Sequence, residues 1–137
     1  MSNQSGWDID LSSLLQSYSD RLDDFVKMLG LRVLSSLVMK SPVDTGRFRG
    51  NWHVSFNKED MTQFENLDKT GAIVISTGQA ALDAFNSGVE AIYIQNSLPY
   101  AIELEDGHSK QAPRGMVRIT AIEIQDWIDE IARELNR

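Results

Sequence analysis

The shortest stretch with recognisable chemistry is Asp44-Thr45-Gly46, the tripeptide on which aspartic proteases carry a carboxylate. In those enzymes two copies share one proton, because like charges held so close cannot both ionise. The arrangement needs an apolar strand before the loop and burial of the Asp. Here Lys40-Ser41-Pro42 precedes it and Arg47-Phe48-Arg49 follows. Asp and Thr also favour turns by bonding their own backbone, so the tripeptide reads as a turn. His53 and His108 are the only histidines, and no His-x-x-x-His spacing supports a zinc site. His53 falls on the side of its segment opposite Trp52 and Val54, facing solvent or a neighbour. Glu103 and Glu105 lie two apart and share no helical face, so they make a poor general acid–base pair. With no glycine loop to cradle a phosphate, the residues point to no catalytic centre, no metal and no cofactor.

The charge is unevenly placed. Lys40, Arg47 and Arg49 gather around one turn, and Lys110, Arg114 and Arg118 around a later loop. Two basic loops suit contact with phosphates or with the acidic face of a partner. The chain as a whole is acidic: 13 Lys+Arg against 20 Asp+Glu in 137 residues give a net charge of −7. That balance argues against a duplex binder, which must neutralise several phosphates. The absence of cysteine excludes a disulfide framework, a thiolate metal site and a Cys nucleophile. A length of one domain, 42% hydrophobic and 24% charged residues, describes a folded globular unit rather than a disordered or membrane chain. No apolar run approaches the ~18 residues of a membrane span, and the first residues lack the pattern of a signal peptide, so the protein is expected to be soluble and unexported.

The elements that must position these residues follow from periodicity. Over 10–40, apolar residues recur at three-and-four spacing from Leu11 through Leu22, Phe25, Val26, Leu29 and Val33 to Val38, which predicts a long amphipathic helix with Gly30 as its weak point. Ser41-Pro42 stops it. Thirty residues would make a rod of ~45 Å, against a globule diameter near ~37 Å for this length. Either Gly30 breaks the rod or one end projects and needs another surface. Residues 51–56 alternate and predict a half-buried strand; 58–69 reads as a loop; 72–76 predicts a second, interior strand; and Thr77 would cap a short helix over 79–86. A third strand is predicted over 91–96, helical turns over 99–105, a polar loop over 108–114, and a terminal helix over 116–135 with Trp127 on its flank. Its apolar spacing is Val117, Ala121, Ile124, Ile128, Ile131 and Leu135.

The expected class is α+β, one domain. A flexible arm (1–9) and the long helix (10–40) come first, followed by a small, mainly antiparallel sheet with a short helix between strands (41–107). A loop (108–115) then leads to the C-terminal helix (116–136). Both long helices are expected on one face of the sheet. Open sheet edges are natural places for neighbouring subunits to add strands.

At the two basic loops the sequence resembles a known family. Ser41-Pro42-Val43-Asp44-Thr45-Gly46-Arg47-Phe48-Arg49-Gly50-Asn51-Trp52, and much later Asn96-Ser97-Leu98-Pro99-Tyr100-Ala101-Ile102-Glu103-Leu104-Glu105-Asp106-Gly107-His108-Ser109-Lys110-Gln111-Ala112-Pro113-Arg114-Gly115-Met116-Val117, resemble the tail-component family of tailed bacteriophages. These are small neck or tail-completion proteins similar to the lambda minor tail protein Z group. The match covers about a quarter of the chain, departing at Phe48, where the family has Leu, and at the additional Asp106. Two matches in the right order are far more specific than either alone.

The resemblance implies a non-enzymatic virion protein, placed at the head–tail junction and made in the host cytoplasm during assembly. It would form a hexameric or dodecameric ring with itself, between neighbouring neck, connector and tail-tube or tail-terminator proteins. Genomic DNA would pass through the lumen without sequence-specific binding, and no membrane is involved. The positions that match the motif become interface candidates: Pro42, Asp44, Thr45, Gly46, Arg47, Arg49, Trp52, Asn96, Tyr100, Glu103, Glu105, Gly107, His108, Lys110 and Arg114. Asp44 and Thr45 would fix the turn, Gly46 and Gly50 would allow backbone angles a side chain opposes, and Arg47, Arg49, Glu103 and Glu105 are candidates for salt bridges between subunits. A head-completion or tail-terminator ring at another level of the neck is the nearest alternative. A small acidic protein that binds a host factor is an alternative of another class.

Overall fold

A computed structural model describes residues 11–106 and 115–136. The predicted N-terminal arm and the polar loop 108–114 lie outside the described residues.

Helix α1 spans Leu11–Lys40 without interruption. Gly30 does not break it: the glycine is buried, and a Cβ there would stand 2.9 Å from Leu82 Cδ2. Its role is close approach rather than flexibility.

The stretch predicted as an interior strand is the start of a helix, α2, over Ala72–Asp83. Ala-Ile-Val-Ile-Ser is apolar on all sides, and such a run does not separate strand from helix by periodicity. What decides is its cap and its neighbour. The carboxylate of buried Asp68 accepts from the N–H groups of Gly71 (3.1 Å) and Val74 (2.9 Å), satisfying the first turn. Val74, Gly78 and Leu82 then face α1 at helical spacing. Gly78 lets the two helices close: a Cβ would lie 2.1 Å from Leu34 Cδ2. Thr77, expected as a cap, therefore sits in mid-helix, and the helix ends at Asp83 instead of continuing to 86.

Losing that strand leaves two among the described residues instead of three. β1 (Trp52–Phe56) and β2 (Ile92–Asn96) pair antiparallel from Trp52↔Asn96 to Phe56↔Ile92. Their connection contains α2, which packs beside β1, so they are not a hairpin. Helix α3 (Ala101–Glu105) is short, and α4 (Val117–Leu135) is long. The class is α+β, with helices on the sheet, as expected.

The core lies where α1 meets the sheet and the first turn: Leu34, Leu37 and Val38 from α1, Phe48, Trp52, Val74, Leu98 and Met116. Burying each such side chain contributes roughly 1.5–3 kcal/mol. Helix α4 packs on α1 by a face rotated from the predicted stripe, keeping Ile131 buried and Ile124, Ile128 and Leu135 half-buried. Trp127 is buried rather than flanking, with Thr120 and Ile131 on the same side, whereas Val117 and Ala121 are exposed. Charged side chains of α1 lie beside its ring. The Arg32 guanidinium lies 5.3 Å from its ring centroid and pairs with Glu130 at 3.0 Å, while Lys40 pairs with Glu123 at 2.7 Å. Such cation–π contacts contribute about 0.5–1 kcal/mol each at exposed sites.

Both neighbours run antiparallel to α1. Leu82 and Gly78 of α2 meet Gly30 and Leu34, and Glu130 and Glu123 of α4 meet Arg32 and Lys40. Towards its N-terminus α1 runs on past them, and Leu22 on that stretch is 62% exposed. Among the described residues no helix is long and apolar enough to cross a membrane.

Candidate functional site

The two motif segments, some fifty residues apart in sequence, meet around Phe48. Its ring stands 6.0 Å from that of Trp52 in an edge-to-face arrangement and 6.0 Å from that of Tyr100. Its carbonyl accepts from Asn96 Nδ2 at 2.8 Å. Trp52 Nε1 donates to Ser41 Oγ at 2.7 Å, and Ser41 Oγ contacts both the Leu37 carbonyl and Met116 Sδ. The end of α1, the first turn, the end of β2 and the entry to α4 are thereby tied into one corner.

Within the turn, Thr45 Oγ1 accepts from the Arg47 N–H at 3.2 Å. Gly46 carries φ +91°, and its carbonyl accepts from Gly50 and Asp68. A Cβ at Gly46 would be 2.7 Å from the backbone nitrogens of Asp68 and Lys69, so both the angle and the space require glycine. Gly50 is needed for space alone, since its Cβ would meet the Asn66 carbonyl at 2.5 Å.

Arg49 turns inward. Its guanidinium donates to the carbonyls of Ser41 (3.2 Å), Lys69 (2.8 Å) and Met39 (3.0 Å), tying the C-terminus of α1 to the segment before α2. Only a planar fork with several donors reaches three acceptors this way. Glu105 is also engaged within the chain. Its carboxylate accepts from the N–H groups of Met116 (2.7 Å), Val117 (2.8 Å) and Arg118 (3.0 Å), capping α4 from a distance. Partial burial opposes its charge, but those bonds and the nearby Arg118 outweigh it and hold the carboxyl below the usual glutamate range.

The remaining motif residues lie nearer the surface. Asp44, Thr45 and Glu103 are exposed, and Pro42 and Tyr100 are half-buried. Arg47 Nη2 is 3.8 Å from Glu65, while its buried Nε has no hydrogen-bond partner among the described residues. Gly107, His108, Lys110 and Arg114 lie outside the described residues. An exposed Asp44 on a post-helical turn lacks the buried setting a proton-sharing dyad needs.

His53 is half-buried. Segment 60–64 folds over its face of the sheet, so Nδ1 bonds the Asn51 carbonyl (2.9 Å), Nε2 bonds the Asp60 carbonyl (2.6 Å), and the ring meets Phe64 edge-on at 5.2 Å. Asp60 itself is held below the usual carboxylate range by the hydroxyl and N–H of Thr62, with a smaller contribution from His53. A cavity of about 200 Å³ opens beside this segment, lined by His53, Val54, Phe64, Ile73 and Thr77 among others. Among the described residues no group of three His, Asp or Glu converges as a metal site.

Two residues central to the corner escaped sequence reasoning. Asn51 is fully buried, donating to the Arg47 and Phe64 carbonyls and accepting from the Phe64 N–H. Asp68 caps α2, and its place just ahead of an apolar run was the available signal. No family model matches the chain, and no curated protein or solved structure does either.

Proposed function

We propose that this chain is a structural virion protein of a tailed phage, forming a ring at the head–tail junction that joins the tail to the connector and leaves a channel for DNA. The observation that carries the reading is the convergence of the two motif segments on Phe48. Their buried members build a rigid corner and not a reactive centre, while Asp44, Thr45 and Glu103 stay on its outside. Rigid support with exposed polar tips suits a docking part.

The long helix supports the same reading. It outruns both helices packed against it and carries exposed Leu22, an apolar position that a neighbouring subunit would cover. In this picture Arg49 and Glu105 are internal struts. Contacts between subunits fall to Asp44, Thr45, Arg47 and Glu103, with His108, Lys110 and Arg114 of the basic loop. Closed cyclic assemblies use such paired, non-identical surfaces. Native mass spectrometry of the full chain, alone and mixed with neck and tail proteins of the same phage, tests it. A closed ring in the mixture is expected; a chain that stays monomeric in both would overturn the proposal.

A further inference from the structure

Residues 58–67 run as a strap over the face of the sheet on which His53 and Gln95 stand opposite each other. Both ends are fixed. The Asn57 N–H donates to the Ala91 carbonyl (2.8 Å), and Asn57 Oδ1 accepts from the N–H groups of Glu90 (2.7 Å) and Ala91 (3.2 Å), at a φ of +63°. At the other end the N–H of buried Asp68 donates to the Gly46 carbonyl (3.0 Å), and its carboxylate caps α2. Between these posts the chain is held differently. Among the described residues, no backbone–backbone hydrogen bond joins 58–67 to the rest of the chain.

Side chains take over that role at two residues. The Asp60 N–H donates to Gln95 Oε1 (3.0 Å), while its carbonyl bonds His53 Nε2 (2.6 Å) and accepts from Ser97 Oγ (3.2 Å). The Phe64 N–H donates to Asn51 Oδ1 (2.6 Å), and its carbonyl accepts from Asn51 Nδ2 (2.9 Å). Contacts of this kind read main chain and tolerate changes of side chain. Little apolar burial adds to them: Asp60 and Phe64 are half-buried, and every other strap residue is exposed. Behind the strap lies the cavity of about 200 Å³, between Asp60, Phe64 and Asn66 on one side and Val54, Ile73 and Thr77 on the other. A segment with so few apolar contacts opens at lower free energy than the elements of the core.

We infer that 58–67 is a releasable strap, which lifts as a unit between Asn57 and Asp68 and gives up its place on Asn51, His53, Gln95 and Ser97 to an extended segment of a partner protein. The strap itself shows the chemistry of that partner. The segment presents a main-chain N–H and C=O at the places of Asp60 and Phe64, and an apolar side chain at the place of Phe64, where it meets the edge of the His53 ring. A further apolar side chain at the place of Asp60 or Asn66 would fill the cavity better than the strap does, which favours displacement. This inference does not depend on the phage reading.

The test combines amide hydrogen exchange by NMR with binding of a synthetic peptide copying residues 58–67, on the wild-type chain and on Phe64→Ala. That substitution loosens the strap and leaves the four side chains that read it in place. In the wild type the amides of Asp60 and Phe64 are expected to exchange faster than those of β1, β2 and α2, through an opening that spares the rest. Phe64→Ala should speed exchange at both positions roughly tenfold, the effect of freeing a half-buried phenylalanine, with α2 unchanged. Since the peptide binds only the open form, its Kd should fall by roughly the same factor. Exchange at Asp60 and Phe64 no faster than in β1 and α2 overturns the inference, as does a peptide that binds neither chain or binds both alike. If Phe64→Ala does not fold, exchange and peptide binding in the wild type decide.

Discussion

Replacing Glu105 by Gln separates a helix-capping carboxylate from one free to bind a neighbouring subunit. The carboxylate meets three N–H groups of α4 at 2.7–3.0 Å. Loss of a capping acceptor costs about 0.5–2 kcal/mol, and loss of a negative charge at a helix N-terminus about 0.3–1 kcal/mol. The amide oxygen of Gln keeps part of the first contribution, so we expect Glu105→Gln to destabilise by about 1–2 kcal/mol and Glu105→Ala by more. In melting temperature that is a drop on the order of 3–8 °C. The sign with pH follows from the direction of the shift. The folded-state pKa is lowered, so the stabilisation is fully present above the ordinary glutamate value of about 4.3 and fades as pH falls through the lower folded value. Melts followed by circular dichroism should show wild type ahead of Glu105→Gln at neutral pH, with the gap closing in acid. Equal melting at neutral pH, or a gap that acid does not narrow, would refute the cap.

Three further outcomes follow. Gly46→Ala must adopt φ +91° and bring a Cβ within 2.7 Å of backbone, so chemical denaturation should show a loss of at least about 1–3 kcal/mol. Arg49→Lys keeps the charge but cannot reach three carbonyls; leaving part of that set unbonded should cost about 1–3 kcal/mol, read in the same assay. Leu22→Glu lies at an exposed position and should stay within about 0.5 kcal/mol of wild type as an isolated chain, yet abolish assembly with neck and tail proteins in native mass spectrometry.

How much was legible beforehand depended on how each signal arises. The long helix, β1, β2 and α4 rest on clean periodicity and were readable. Residues 72–76 were not, because β-branched side chains favour a strand locally and the deciding contacts, Asp68 at the cap and α1 against Gly78, are tertiary. Trp127 was misplaced for a related reason: a helical wheel cannot know that Arg32 and Lys40 wait on another helix. At the site, the motif named the residues, but their types could not say which way they point. Arg49 and Glu105 look alike, in sequence, to charges on a docking surface. Only the three carbonyls around one and the three N–H groups around the other show them as internal.

Cryo-electron microscopy of the neck of the virion bears most directly on the proposed ring. The expected result is density between connector and tail that fits a closed ring of this chain around the DNA channel, with the 42–52 corner and the outer stretch of α1 at contacts between subunits or with adjoining rings. A neck wholly accounted for by other proteins, or copies of this chain bound there without a ring, would contradict it.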